Sequence, residues 1–478
     1  MAKKKEATTR EVKAFKVGNA WDRLSTKEQK LLDKRCNDYL DFISACKTER
    51  ATLEHIKTRA EKAGFKELPN LGKGKKLKAG SKVMFINNNR AICLGIIGKK
   101  PASEGFRLVA AHLDVPRLDV KSMPLYEKDN LALFKTHYYG GIKKYQWVAI
   151  PLSLHIFAID KNGKHINFVI GEKPGDPVFT IADLAIHVAQ KQQMKRLTNE
   201  AVTGEELNII VGHRPDAQSK QDIPNRVKAT VLREIEKQFN LTEEDLAWAE
   251  IRAVPAMKAA EVGFDRSLIG AYGHDDRACV YAALTGLSEI TVPEHTCACI
   301  FFDKEEVGSA GPNGAQSRVV MDIISMLTEA TSGETSLVAI RNATRATMAF
   351  SADTCAPIDP TYEAAFEPLN SGFLGRGVWI CKFGGKSGKS GSSEVDIEFL
   401  AKVRKMLGEE NIPYQFGEMG KVDEGGGGTV AYMLANNNMQ VVDISLPTLG
   451  LHSPFELISK ADYHYCVSAY KAFMQNHY

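Results

Sequence analysis

Apolar residues between Thr26 and Ala63 recur near the 3.6-residue period of an α-helix. Ser25 or Thr26 can cap the start of this segment, and Gly64 can end it. The pattern predicts one or two packing helices. The residues that carry it are Leu31, Leu32, Tyr39, Leu40, Ile43, Cys46 and Leu53.

Two short apolar runs follow, at residues 84–86 and 91–94, and a polar Asn-Asn-Asn-Arg segment separates them. Apolar runs of this length around a turn are typical of a β-hairpin. Residues 106–111 are the next apolar run, and it leads directly into His112-Leu113-Asp114. We therefore expect a strand that ends at a polar cluster.

After Leu268 the chain alternates between apolar strands and helices to its end, which predicts a mainly parallel sheet with helices on both faces. Residues 121–255 differ, with amphipathic strands, a helix near residues 181–195 and charged helical segments at 230–251. We interpret this stretch as a domain inserted into a larger α/β domain. The predicted helices after Leu268 are 276–290, 317–331, 394–408, 428–436 and 456–475, and the strands are 297–302, 347–350, 378–383 and 440–444.

The composition narrows the class of protein without defining it. The 478 residues are 44% hydrophobic and 25% charged, which excludes a disordered chain, a collagen-like fibre and a coiled coil. The net charge of +4 predicts no general affinity for nucleic acid or membranes. Nine cysteines without a CxxC pair favour reduced thiols, and no apolar stretch approaches the roughly 18 residues of a membrane span. We expect a cytoplasmic protein with a mobile basic arm over residues 1–24.

Carboxylate and imidazole side chains stand immediately after five of the predicted strands. One such residue is usually a helix cap or an ordinary loop residue, but five in succession are hard to explain as caps. Ligands bind such sheets at the carboxyl ends of the strands. Imidazole and carboxylate without thiolate suit Zn, Mn or Co. The residues are His112, Asp114, His274, Asp275, Asp276, Asp303, Glu305, Glu306, Asp353 and His452.

These motifs, in this order, resemble those of the aspartyl aminopeptidase family, the dizinc exopeptidases that include vacuolar aminopeptidase I. The resemblance extends from about residue 80 to the end of the chain, including the inserted segment. The Glu-Glu-Val-Gly-Ser piece together with His-x-Asp is highly specific, whereas His-x-Asp alone would be weak. The matching segments are Ala111 to Asp114, His274 to Arg277, Asp303 to Ser309, Ser351 to Thr354 and Leu451 to Ser453.

The resemblance implies a metallopeptidase domain made of residues 25–120 and 256–478, with residues 121–255 as an inserted dimerisation domain. It implies two divalent ions per subunit, a peptide substrate and a homo-oligomer, commonly a dodecamer built from dimers. Asp275 would bridge the two metals, with His112 and Asp353 at one and Glu306 and His452 at the other. Glu305 would be the general base, Asp114 would orient His112, and His187 would reach the active site of a neighbouring subunit.

The preferred N-terminal residue of the substrate is less defined. The family resemblance favours an acidic residue, which Lys382 could bind, with Lys386 and Lys389 close by. Asp423 and Glu424, beside the glycine run 425–428, could instead select a basic residue. We keep the acidic preference, and basic or broad specificity stays open as the alternative.

A different class of function, nucleotide binding, would rest on residues 384–390, Gly-Gly-Lys-Ser-Gly-Lys-Ser. A phosphate-binding loop needs G-x-x-x-x-G-K-[ST], and its first glycine would fall on Phe383. The motif is one residue short, so a Gly/Ser-rich loop beside a substrate pocket is the better interpretation. A binding protein that uses its basic arm for RNA is a further alternative, but the arm has few aromatic residues.

Overall fold

A computed structural model gives the fold and describes residues 15, 17–68, 76–220, 222–391 and 393–475. No helix in these ranges is long and apolar enough to cross a membrane. The α-helices are α1 (Thr26–Ala45), α2 (Glu49–Lys62), α3 (Ile186–Gln192), α4 (Arg226–Phe239), α5 (Glu243–Trp248), α6 (His274–Ser288), α7 (Val319–Ser332), α8 (Leu337–Ala346), α9 (Ile397–Glu409), α10 (Ala431–Ala435) and α11 (Lys460–Gln475).

The strands divide among one large sheet, a smaller second sheet and a two-stranded ribbon. They are β1 (Lys66–Glu67), β2 (Lys82–Asn87), β3 (Ala91–Ile96), β4 (Arg107–His112), β5 (Arg117–Lys128), β6 (Leu131–Tyr139), β7 (Leu152–Ile159), β8 (His165–Ile170), β9 (Asn208–Gly212), β10 (Glu250–Pro255), β11 (Ala260–Val262), β12 (Leu268–Ala271), β13 (Cys297–Phe302), β14 (Met348–Ser351), β15 (Thr354–Cys355), β16 (Val378–Cys381), β17 (Gly385–Lys386), β18 (Tyr414–Phe416), β19 (Gly426–Gly427), β20 (Gln440–Leu449) and β21 (Glu456–Ser459).

The large sheet has the order β1-β2-β3-β13-β4-β14-β20-β21-β12-β11, with β15, β16 and β18 attached through β20. Its centre is parallel: β13, β4, β14 and β20 run side by side in the same direction. Apolar clusters fill both faces of this centre, beneath α6 and α11 on one side and α7 on the other. This arrangement confirms the predicted α/β class.

The second sheet is formed by residues 117–255 and has the order β8-β7-β10-β5-β6-β9. All five of its strand pairs are antiparallel. It has an apolar core of its own, in which Trp147, Leu152 and Ile209 are fully buried. The predicted inserted segment therefore forms a separate sheet, and its role in dimerisation stays a prediction.

Local signals in the sequence account for several boundaries. The Ser25 side chain accepts the Glu28 N–H while the Glu28 carboxylate accepts the Ser25 N–H, so the predicted cap is a complete capping box. The predicted strand at residues 297–302 is β13. Residues 20–24 are packed, since Ala20 and Leu24 are buried. Residues 1–14 of the predicted arm lie outside the described residues.

Other predicted elements differ from the structure. The helix predicted to start at residue 456 starts at Lys460, because Glu456–Ser459 pairs with β12 as strand β21. The helix predicted over 181–195 is limited to Ile186–Gln192. Helix α8, which begins at the cap Ser336, was not predicted. All nine cysteines are free thiols, and eight of them are buried.

Candidate metal centre

The four parallel strands at the centre of the large sheet deliver the predicted ligands to one edge. β4 ends at His112, whose register partner on β13 is Phe302, the residue just before the Asp303 to Glu306 segment. β14 ends two residues before Asp353, and the turn after β20 carries His452. Strands of one direction and similar register must end together, so residues far apart in the sequence meet here.

Asp275 enters from the side, at the start of α6, and lies between two histidines. Its Oδ1 is 3.3 Å from His112 Nε2, and its Oδ2 is 3.0 Å from His452 Nε2. The carboxylate therefore presents one oxygen to each imidazole. This is the geometry that the predicted bridging role requires.

The remaining predicted ligands surround this centre. Asp353 Oδ1 is 3.6 Å from His112 Nε2, and Glu306 Oε2 is 3.5 Å from His452 Nε2. Two buried carboxylate oxygens, Asp275 Oδ1 and Glu306 Oε1, have no hydrogen-bond partner within the described part of the chain. Buried carboxylates are otherwise hydrogen-bonded or bound to a cation, so these residues fit divalent metal ions.

Among the described residues, two compact groups of side-chain atoms could hold an ion: His112 with Asp275 and Glu306, and His112 with Glu305 and Asp353. His112 is common to both. Glu305 is thus as well placed for a metal as Asp353, with its Oε2 3.8 Å from His112 Nε2. The side chain of Glu305 is 17% exposed, against 3% for Glu306, so Glu305 is the more accessible of the pair to a molecule in the cavity.

Burial and neighbouring charges change the ionisation of this cluster. Burial raises the pKa of Glu305 to about 8; Asp353 and Asp275 add to the increase and His112 opposes it. Burial also holds the pKa of Glu306 well above its usual range, and Asp275 adds to that effect. Cations beside these groups would favour their charged forms.

Asp114 acts mainly on the two glutamates. Its Oδ1 accepts the Glu305 N–H at 3.1 Å and its Oδ2 accepts the Glu306 N–H at 3.2 Å. His112 Nδ1 lies 2.9 Å from the main-chain oxygen of Asp114 and 3.5 Å from its carboxylate. The residue therefore holds His112 through its carbonyl, while its carboxylate fixes the Glu305-Glu306 backbone.

The end of β6, in the second sheet, also reaches the site. The Tyr139 hydroxyl donates to Asp114 Oδ2 at 2.7 Å, and the carbonyl of Gly141 lies 2.8 Å from His452 Nδ1. A Cβ at Gly140, where φ is +76°, would lie 3.3 Å from Glu306 Oε2. These contacts could not be predicted, because nothing local in the sequence shows which strand ends meet.

An open cavity of about 370 Å³ adjoins the candidate metal ligands. The glycine run 425–428 forms part of its wall, and β19 within that run pairs with β17. The loop that resembles a phosphate-binding motif is therefore part of a ribbon, and the next helix begins only at Ile397. That placement does not support the nucleotide-binding alternative.

The predicted substrate-binding residues are not gathered at this cavity. Lys382, Asp423 and Glu424 are exposed and do not line it, whereas Lys389 does. His187 is exposed on α3, away from the cavity of its own chain. Its neighbours Ile186 and Val188 are also exposed, by 55% and 61%.

An open α/β sheet with imidazole and carboxylate side chains gathered at its strand ends is an arrangement that suits a metal-dependent hydrolase. Comparison with known proteins makes this specific. A family model described as "Aminopeptidase I zinc metalloprotease (M18)" matches residues 42–474. The chain belongs to this M18 family of zinc metallo-aminopeptidases, which confirms the resemblance found in the sequence.

Individual relatives are similar over nearly their whole length. A probable M18 family aminopeptidase 1 of Clostridium acetobutylicum is 40% identical over 465 residues, 96% of this chain and 98% of the relative. The crystal structure of an M18 family aminopeptidase from Thermotoga maritima has a TM-score of 0.90 at 38% identity, over 97% of this chain and 100% of that one. The structure of the S. cerevisiae mApe1 dodecamer has a TM-score of 0.74 over 94% of this chain and 97% of that one. Its sequence identity of 16% shows a shared fold alone.

Proposed function

We propose that this aminopeptidase uses two divalent ions per subunit, zinc in the first place and Mn or Co as alternatives. The observation that carries the proposal is Asp275, which presents one oxygen to His112 and the other to His452. A carboxylate placed in this way can hold two cations at once. His112 with Asp353 would complete one site, and Glu306 with His452 the other.

The other steps of peptide hydrolysis are carried out by side chains of the protein. When bound, the cations polarise the scissile carbonyl and make a water molecule more acidic. Glu305, the more exposed glutamate, accepts the proton of that water and donates it to the leaving amine. The Asp114 carboxylate keeps Glu305 in place by accepting the main-chain N–H of Glu305. Carboxylates around the cavity can bind the free N-terminal amine of a peptide, which limits cleavage to the first residue.

Removing metal tests this proposal directly. We expect dialysis against a chelator to abolish hydrolysis of aminoacyl substrates, and added Zn²⁺, Mn²⁺ or Co²⁺ to restore it. Elemental analysis of the active protein should give two equivalents of metal per chain. One equivalent would contradict the dinuclear site, and full turnover by a protein shown to be metal-free would contradict metal catalysis altogether.

We further propose that acidic N-terminal residues are preferred, with Lys389 as the residue that binds them. Lys389 lines the cavity, and within the described residues its Nζ pairs with one carboxylate, Glu394 Oε1 at 3.3 Å. Asp423 and Glu424, the residues that would select a basic substrate, lie off the cavity wall. Glu418 and Asp443 also line the cavity, so basic or broad specificity is the alternative to test.

The test compares kcat/KM for peptides that begin with Asp or Glu and peptides that begin with Lys or Arg. Lys389→Met should lower kcat/KM for acidic substrates by roughly tenfold or more, because it removes a charge-assisted hydrogen bond. Lys382→Met should leave unchanged the ratio of kcat/KM for acidic substrates to kcat/KM for basic substrates. If Lys382→Met alone lowers it, the assignment of Lys382 from the sequence is right; a wild-type preference for Lys or Arg overturns the acidic proposal.

We also propose that the chain assembles into a dimer-based homo-oligomer, a dodecamer like that of S. cerevisiae mApe1. The support in this chain is the exposed apolar surface of α3 around His187, which needs a covering partner. We propose that His187 of one subunit enters the active site of another. The nine free cysteines support the cytoplasmic location predicted from the sequence.

Subunit complementation tests the role of His187. Separate His187→Ala and Glu305→Gln proteins should each be nearly inactive. When they are dissociated and reassembled together, half of the dimers become mixed and one of their two sites is complete, so about one quarter of wild-type activity should return. A His187→Ala protein with full activity, or mixed oligomers without recovery, would contradict donation between subunits.

A further inference from the structure

Glu456 lies behind the metal centre and contacts two of its ligands at once. Its side chain is almost fully buried, with the residue 1% exposed. Oε2 accepts the main-chain N–H of Asp275 at 3.1 Å, and Oε1 accepts the main-chain N–H of His452 at 2.7 Å. The sequence pattern predicts that a helix starts at this residue, but it is the first residue of β21.

These contacts connect parts of the chain that are far apart in sequence. Asp275 is at the start of α6, whereas His452 is in the turn between β20 and β21. Their side chains come within 3.0 Å of each other at the centre of the site. His452 has a φ of +65°, a left-handed conformation that is uncommon for residues other than glycine, and the contact with Glu456 helps to hold its backbone there.

A carboxylate is the side chain suited to this task. Both acceptors must point at N–H donors, and only an ionised Asp or Glu offers two acceptor oxygens and no donor. Glutamine would turn an amide NH₂ toward one of the two N–H groups. Aspartate keeps both oxygens but is one methylene shorter. The Gly141 carbonyl contacts the His452 ring, but it does not reach the His452 backbone N–H that Glu456 binds.

We propose that Glu456 is a positioning residue of the metal centre: it fixes the distance between Asp275 and His452 and so raises the affinity of the protein for divalent cations. This inference rests on the proposed metal site. Residues that orient metal ligands typically change metal affinity by 10- to 100-fold when they are altered.

The experiment measures metal binding and needs no turnover. Metal-free wild type, Glu456→Gln and Glu456→Asp are titrated with Zn²⁺ against a chromophoric chelator, and their Co²⁺ complexes are compared by visible absorption. Asp462→Asn is the matched control. Asp462 is also fully buried, and its two oxygens likewise accept main-chain N–H groups, from Gly375 and Gly377 at 2.7 Å.

We expect Glu456→Gln to bind the more weakly held of its two Zn²⁺ ions 10- to 100-fold less tightly than wild type and to give an altered Co²⁺ spectrum. The Zn²⁺ affinity of Glu456→Asp should lie between those of wild type and Glu456→Gln. Asp462→Asn should bind metal as wild type does, even if its melting temperature falls. If Glu456→Gln has the Zn²⁺ affinity and Co²⁺ spectrum of wild type, and only its melting temperature falls as in Asp462→Asn, then Glu456 has a structural role only and the inference is wrong. If Glu456→Gln does not fold, wild-type metal binding by Glu456→Asp overturns the inference. A wild-type protein that binds no metal would refute the metal site itself.

Discussion

Replacing Glu305 by glutamine should lower kcat by roughly a hundredfold to ten-thousandfold, the usual cost of losing a general base. Glutamine has nearly the same shape but cannot accept a proton at neutral pH. The side chain is 17% exposed toward the cavity, and its backbone is held by Asp114 whichever side chain is present. The expected variant is therefore folded and metal-loaded, yet almost inactive.

Metal content separates this outcome from the loss of a ligand. Glu305 Oε2 is only 3.8 Å from His112 Nε2, so a ligand role for Glu305 is the competing hypothesis. Glu306→Gln is the matched variant, because the adjacent residue is 3% exposed and lies against His452. We expect Glu306→Gln to lose metal and Glu305→Gln to retain it. If Glu305→Gln is the metal-depleted protein, the two roles are reversed.

The class of fold, and the group of residues that meets at one edge of the sheet, could be predicted from the sequence because both follow from local order along the chain. Apolar strands alternate with helices, so the central strands are parallel and end at one edge. His112 ends its strand, and Asp353 and His452 follow theirs within three residues, so these candidates could be found without knowing how the strands pair. The structure brings together the five residues predicted to bind metal.

The residues that support the candidate ligands have no comparable pattern in the sequence that would identify them. Tyr139 contacts Asp114, and Gly141 contacts His452, across a boundary between two sheets. Glu456 was predicted to start a helix, but pairing with β12 makes it a strand residue. Such contacts depend on which elements meet in space, which a single sequence does not contain.

The residues of the cavity wall show a related limit. Lys382 and Lys389 lie in the same loop region, and both are suitable cations for an acidic substrate. In the structure Cys381 and Phe383 line the cavity while Lys382 between them does not, since successive side chains of an extended segment point to opposite sides. The sequence could point to this loop, but only the direction of each side chain shows which lysine lies on the cavity wall, and the role of Lys389 in substrate binding stays a prediction.

The two sheets are joined by a buried ionic cluster around Glu49, and breaking it should destabilise the whole chain. Glu49 is the first residue of α2 and is fully buried. It forms ion pairs with Arg90, next to β3, and with Arg252 on β10, and its Oε2 is 3.8 Å from Arg117 Nη1 on β5. One carboxylate thus connects the large sheet, the second sheet and α2.

Glu49→Gln should lower the free energy of unfolding by about 3–5 kcal/mol, because it leaves buried guanidinium groups without their shared counter-charge. Denaturant unfolding at a fixed protein concentration measures the change, and Glu104→Gln is the control. Glu104 pairs with Lys100 at 3.3 Å on the surface, where both side chains are nearly half exposed, so that variant should unfold close to wild type. Equal effects of the two substitutions would show that the cluster adds no stability.

The pH dependence of this difference gives an independent check. Burial opposes the ionisation of Glu49, but Arg252, Arg117 and Arg90 together lower its pKa to about 2 from an ordinary value of 4.5. A carboxyl group with a lowered pKa stabilises the folded state fully above its unfolded pKa and loses that contribution as the pH falls toward the folded pKa. The stability difference between wild type and Glu49→Gln should therefore be constant from neutral pH to about pH 5 and shrink below it. A difference that grows on acidification would mean that Glu49 is protonated in the native protein, and that the three arginines find their counter-charge in Glu250, Asp119 and Asp303 instead.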